Sequence, residues 1–137
     1  TLPSSFTGDA PAAWARCPTS DRLFAADGEG RLFALDGRGE FGDVLGQVRH
    51  APVRAMTMTL DGRLFGWCGE GIAWMFCYDP GADELRDVGC AVSVLERRRY
   101  GYQFAAAAVG RDGQVYFGED DDLGHLWIYF PRVLPPR

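Results

Sequence analysis

The feature that most restricts what this chain can fold into is a short motif that occurs three times. Asp21-Arg22-Leu23-Phe24-Ala25 returns as Asp61-Gly62-Arg63-Leu64-Phe65-Gly66, and again as Asp112-Gly113-Gln114-Val115-Tyr116-Phe117. With Arg22, Arg63 and Gln114 taken as equivalent, the copies stand 41 and 51 residues apart. A second apolar run follows each copy: Leu32-Phe33-Ala34-Leu35-Asp36, Met75-Phe76-Cys77-Tyr78-Asp79 and Leu126-Trp127-Ile128-Tyr129-Phe130. Asp27-Gly28, Asp36-Gly37, Asp79-Pro80-Gly81 and Asp112-Gly113 bound these runs, and such dipeptides favour tight turns. The pattern therefore predicts two short strands joined by a short loop, three times over.

A repeat of about 40–50 residues built from short strands is the period of a β-propeller blade. The expected fold is all-β: a propeller segment of about three four-stranded blades, the last incomplete. Strands are expected over Arg22–Ala26, Arg31–Leu35, Arg63–Trp67, Ala73–Tyr78, Gln114–Phe117 and Leu126–Phe130. Inner strands should precede each motif, over Trp14–Cys17, Arg54–Thr59 and Gln103–Val109. The run Ala105–Ala108 has helical propensity, but small side chains also suit the crowded axis of a propeller. Outer strands fall at Asp43–Leu45 and Leu85–Val88. Blade three has only Arg132–Arg137 left for one, and its two prolines disfavour pairing.

The organisation that follows is an N-terminal arm (1–13), blades at 14–48, 53–89 and 102–131, an insertion at 90–101, and a tail at 132–137. Met75–Gly89 combines a hydrophobic run, Tyr-Asp-Pro, a polar turn and Leu-x-Asp-Val-Gly. That segment, like Leu32–Gly37, resembles blades of bacterial kelch-like and quinoprotein-like propellers. The chain has neither the Gly-Gly doublet of kelch repeats nor the Trp-Asp pair of WD repeats, so the subfamily stays open.

Composition agrees with a packed β-structure. Apolar residues make up 47% of the chain and charged residues 24%, the balance of a globular domain rather than a disordered one. The net charge of −5 speaks against nucleic acid as a partner, because a phosphate backbone needs an excess of positive charge. No apolar run is long enough to span a bilayer, so a membrane partner is not expected either. The chain begins at Thr1, which suggests a processed product, an excised segment or an engineered piece. Cys17, Cys68, Cys77 and Cys90 are widely spaced, without a C-x-x-C pair, which argues against a zinc site. Cys77, within an apolar run, is expected as a small core residue. Trp14, Trp67, Trp74 and Trp127 are expected as inter-blade core.

Propeller loops alternate between two faces, and the rule gathers this chain's unusual residues on one of them. Loops between second and third strands hold Glu29, then Cys68 and Glu70, then Glu119–Asp122 and His125. Connections between blades hold His50 and Arg54, then Glu96–Tyr102. Arg97, Arg98 and Arg99 have the chemistry to grip a carboxylate or phosphate in a bidentate way, with His50, Arg54 and Glu70 as further ligand-binding candidates. The competing account is a solvated loop whose arginines pair with the nearby acidic run. Asp120, Asp121 and Asp122 supply the hard oxygens a divalent cation such as calcium needs, although three adjacent carboxylates cannot all converge from one turn.

Two functional readings follow. The first is a non-catalytic module that works by binding and assembly. Its partners would be further blades, either a second copy or the remainder of a parent protein. The second is an enzyme of the acidic-polysaccharide lyase type, whose arginines neutralise an anionic saccharide. Tyr100, Tyr102 and His125 would then be catalytic acid and base. Three blades cannot close a ring, so an isolated copy would expose apolar faces on its first and last blades. No polar capping segment is apparent in the sequence, and Thr1–Phe6 is a candidate for the missing outer strand of blade three, with Pro3 against it.

Overall fold

The computed structural model describes residues 2, 6–8, 10–95, 99–132 and 134. Blade one is an antiparallel sheet of β1 (Ala13–Arg16), β2 (Leu23–Ala26), β3 (Arg31–Leu35) and β4 (Phe41–Gln47), in that order. Blade two repeats it with β5 (Val53–Met58), β6 (Leu64–Cys68), β7 (Trp74–Asp79) and β8 (Glu84–Cys90). A small hairpin, β9 (Val92–Ser93) with β10 (Arg99–Tyr100), fills the insertion. Blade three has three strands: β11 (Phe104–Val109), β12 (Val115–Glu119) and β13 (Leu126–Tyr129). The fold is an all-β propeller segment with an incomplete last blade.

The register shows that the sequence repeats are structural repeats. Leu23 pairs with Leu35, Leu64 with Tyr78 and Val115 with Tyr129, so these three pairs are equivalent. The turns ahead of the second strands carry Gly62 and Gly113 at φ of 85° and 82°, a conformation that costs a side chain but not glycine. Between third and fourth strands an aspartate holds the turn. Asp36 Oδ1 accepts from the N–H of Arg38 and of Glu40, and Asp79 Oδ1 from those of Gly81 and Ala82. Ala105–Ala108 is strand, because pairing with β12 overrides the helical propensity of alanine.

Alternation sends side chains to both sides of each blade. Blade two turns Leu64, Phe76 and Tyr78 toward Phe24 and Leu32 of blade one. It turns Phe65, Trp67, Met75 and Cys77 toward Phe104, Val115 and Phe117 of blade three. Trp67 stacks on Phe104 at 4.4 Å. A strand buried on both faces has no polar side to show, which is why every residue of β6 is buried. Each fully buried ring adds about 1.5–3 kcal/mol of transfer free energy.

The two outer faces of the segment differ. On blade one, Phe33 points away from blade two and is nevertheless fully buried, because Phe6 lies over it at 5.2 Å and over Phe41 at 5.4 Å. Phe6 of the N-terminal arm thus caps blade one by an aromatic contact, a cover that the search for a polar capping segment does not reveal. The signal is the single aromatic residue of the arm. Phe6 lies against blade one, not blade three, while residues 1, 3–5 and 9 of the arm lie outside the described residues. On blade three the far side carries Leu126 (66% exposed), Ile128 (50%) and, just beyond β13, Phe130 (75%). Trp14 is also 66% exposed, so it is not inter-blade core as expected. It alternates with Ala13 and Ala15, which take the inward positions of β1.

Candidate functional site

Loops and inter-blade connections meet on one face, held together by backbone hydrogen bonds. Val48 N donates to Gly30 O, Gly69 N to Pro52 O, Ala73 N to Gly101 O, and Asp120 N to Gln103 O. Each of these bonds links a second-to-third loop to a connection between blades.

Two features stand out on this face. The first is a cleft of about 370 Å³ at the ends of the inner strands, lined by Ala12 ahead of β1, Val53 and Arg54 of β5, Gln103 and Phe104, and Asp120. All three blades therefore contribute to it. Arg54 brings a positive charge and Asp120 a negative one, with the Gln103 side chain between them in chemistry. Gln103 has a φ of 48°, a left-handed conformation for a residue with a side chain. It is held there by its N–H to Gly71 O (3.2 Å) and by Asp120 N–H to its carbonyl (2.8 Å). Such strain costs roughly 1–3 kcal/mol and tends to gather at functional positions.

The second feature is a network centred on Glu119, whose side chain is fully buried. Its Oε1 accepts from the Tyr102 N–H at 3.0 Å and from Trp127 Nε1 at 2.9 Å. Its Oε2 lies 3.0 Å from Arg99 Nη2 and 3.2 Å from His125 Nδ1. Arg99 also reaches Asp121 Oδ2 at 2.6 Å. The Asp121 carboxyl is held below its usual value, first by the Gly124 N–H and also by Arg99. The register explains the place of Glu119. It occupies the position of Asp27 in blade one and Cys68 in blade two, four residues after the equivalent Leu23, Leu64 and Val115. Asp27 is buried and accepts from the N–H groups of Thr7, Glu29 and Arg31 and from Arg31 Nε. Arg31 also donates to the Thr7 hydroxyl. Cys68 Sγ donates to Trp74 O. In blades one and three the position is a latch that ties neighbouring segments to the sheet, whereas in blade two Cys68 bonds to its cross-strand partner in β7. Cys68 and Glu119 lie within strands rather than in loops, because pairing extends one or two residues beyond the expected ends.

Each residue singled out in the sequence now has a place. His50 stacks on Trp74 at 4.5 Å, and Arg54 donates to Gly69 O at 3.4 Å from the wall of the cleft. Glu70 is exposed in the loop after β6. Arg97 and Arg98 lie outside the described residues. Arg99 is engaged by two carboxylates of the acidic run, the pairing that the competing account anticipates, but the group is largely buried rather than solvated. Tyr100 and Tyr102 are exposed, the latter beside Gly71. His125 belongs to the Glu119 network. Among the described residues, the group with atoms close enough to share an ion is Glu119, Asp121 and His125, all within 4.8 Å. It is not the run Asp120–Asp122, because Asp120 turns to the cleft while Asp121 closes its own turn by accepting from Leu123 and Gly124 N–H. The positive charge between Glu119 and Asp121 is the guanidinium of Arg99. Gln103 and the latch carboxylate Asp27 carried no expectation of a site role, and Glu119 was expected only as part of the acidic run on the loop face, not as a buried latch. The shared offset of the two carboxylates within the repeat is the signal that could have found them.

No family model matches the sequence, and no curated protein matches it either. Solved structures match in fold. One is the crystal structure of selenomethionine-substituted virginiamycin B lyase from Staphylococcus aureus, a seven-bladed β-propeller, with a TM-score of 0.58 at 11% sequence identity. The match covers 90% of this chain and 42% of that one, so the chain spans less than half the length of that propeller. At this identity the likeness is one of fold.

Proposed function

We propose that this chain acts as a binding and assembly module, a propeller segment that associates with further blades and presents a ligand site on its loop face. The observation that carries the reading is the contrast between its two ends. Blade one is covered by Phe6, whereas blade three leaves Leu126, Ile128 and Phe130 in solvent. Exposed apolar side chains grouped on one sheet face, beside a strand edge with no partner strand among the described residues, favour association. Two copies closing as three plus three blades would have to move Phe6 off blade one. A partner blade that seats only on blade three leaves the arm in place. The test is the solution mass at micromolar concentration. Association should give a mass above 15.1 kDa, and Leu126→Asp with Ile128→Asp should reduce it. A well-folded particle at 15.1 kDa, unmoved by those changes, would overturn the self-association form of the proposal.

On the loop face the inferred ligand is an anionic saccharide at the cleft beside Arg54. Met75–Gly89 supports a kelch-like or quinoprotein-like subfamily by its motif alone. The lyase reading has less support from the geometry, since Arg99 is committed to Glu119 and Asp121 and His125 to Glu119. A divalent cation such as calcium would have to replace Arg99 between the same two carboxylates.

A further inference from the structure

We infer that blade three is completed by an added β-strand that pairs antiparallel with β13 and places a leucine-sized side chain over Gly89. The inference rests on the assembly reading and names the partner's chemistry. In blades one and two the third strand is covered by a fourth, β4 on β3 and β8 on β7. Among the described residues no strand pairs with the outer edge of β13.

The interface between blades one and two shows what the fourth strand contributes. Leu85 of β8 packs into the core shared with blade one, directly against Gly46 of β4. A Cβ at Gly46 would stand 3.0 Å from Leu85 Cδ2, so the absence of a side chain there makes the seat. Gly46 pairs with Leu32, and in blade two the equivalent Met75 pairs with Gly89. Gly89 is therefore the corresponding seat one blade on, and among the described residues nothing lies within 4 Å of its Cβ position. A cleft of about 300 Å³ opens there, lined by Trp67, Met75 and Gly89 on one side and by Trp127, Ile128 and Tyr129 on the other. Its walls are the outer part of blade two and the third strand of blade three, which in the preceding interface enclose Leu85.

Trp67 gives an independent sign. It is nearly fully buried, lines this cleft, and its Nε1 has no hydrogen-bond partner among the described residues. Buried donors are ordinarily paired, and a strand entering the cleft brings backbone carbonyls. The added segment should resemble the strands that do this work elsewhere in the chain. Phe41-Gly42-Asp43-Val44 and Leu85-Arg86-Asp87-Val88 share a large apolar residue two positions before an aspartate. Their apolar residues are equivalent, since Phe41 pairs with Leu35 and Leu85 with Tyr78. An extended partner segment of the form Leu/Phe-x-Asp-Val meets both demands, with main-chain pairing for affinity and one side chain for register.

The probe is a labelled peptide copying residues 83–91 with Cys90→Ser, titrated into the 137-residue chain, with hydrogen exchange mapping the bound strand. Binding should protect the amides of β13, and the same peptide carrying Leu85→Asp should bind at least tenfold more weakly. No binding, equal binding by a scrambled peptide, or protection confined to β7 would overturn the inference. The assembly reading is judged separately by mass. A chain that self-associates yet ignores the peptide refutes only the added strand, whereas a monomer that ignores it refutes both.

Discussion

The ring of Phe6 stands 5.2 Å from that of Phe33, on the side of blade one that faces away from the rest of the chain. One aromatic residue of the arm thus covers what a neighbouring blade would otherwise cover. Phe6→Ala should cost about 2 kcal/mol, less than a fully buried phenylalanine because Phe6 is half-buried. It should also raise self-association by opening blade one to the far side of blade three of another copy. Denaturant melts and sedimentation of the same variant read the two effects. Unchanged stability would show that the arm is not a cap.

The arm is also held by charge. Burial works against the Asp27 carboxylate, but hydrogen bonds from Arg31 and Thr7 outweigh it and hold the carboxyl below its usual 3.8. A depressed carboxyl stabilises the fold fully above its unfolded value and loses that contribution as pH falls through the folded one. Thermal stability should therefore drop as pH is lowered from about 5 toward about 2, the range over which carboxylates titrate. Asp27→Asn should flatten that part of the profile. An identical acid profile for the variant would refute the role of this latch.

Glu119 joins four groups from the insertion and from blade three. Glu119→Ala should cost about 3 kcal/mol or more, since it leaves Arg99 without one carboxylate and Trp127 Nε1 without an acceptor. Asp122→Ala, on an exposed neighbour, should change stability by less than about 0.5 kcal/mol. Urea unfolding followed by tryptophan fluorescence compares them. Similar midpoints would show that the network is not a structural latch.

At the cleft, Arg54→Ala should weaken binding of a uronate oligosaccharide about tenfold or more, the loss of one charge-assisted contact. Arg86→Ala, on the exposed outer strand β8, should leave it unchanged. Calorimetry with a panel of acidic and neutral glycans provides the comparison. The same incubations, followed by ultraviolet absorbance for unsaturated uronates, test the lyase reading. A flat trace throughout removes it.

The cysteines should differ in reactivity. Burial pushes the Cys68 and Cys77 thiols up to about 11, which keeps both protonated near neutral pH. At Cys17 burial is outweighed by hydrogen bonds from Ser20 and Thr19, and the thiol is held below its usual value. Of these three, Cys17 should be alkylated first in the folded chain, as peptide mass mapping would record. Prior labelling of Cys68 or Cys77 would mean that blade two opens readily.

How far the sequence reached is clear from particular elements. β3 has the expected bounds, Arg31–Leu35, because a continuous apolar run between Asp27-Gly28 and Asp36-Gly37 carries its own start and stop. β11 is legible despite its alanines once the repeat is seen. The arginine run was legible as a positive segment on the loop face. Its pairing with Glu119 and Asp121, 20 and 22 residues away from Arg99, was one of two open accounts.

The sequence by itself determined the repeat, the turns and hence the blade architecture, because these depend on residues within a few positions of one another. Only the tertiary structure decided which exposed-looking residues are covered. Phe6 reaches Phe33, Tyr102 and Trp127 converge on Glu119, and Leu85 settles over Gly46 while Gly89 has no such neighbour among the described residues. Each of these depends on how one blade or loop lies against the next. That placement follows from side-chain packing across the sheets, which no local pattern records.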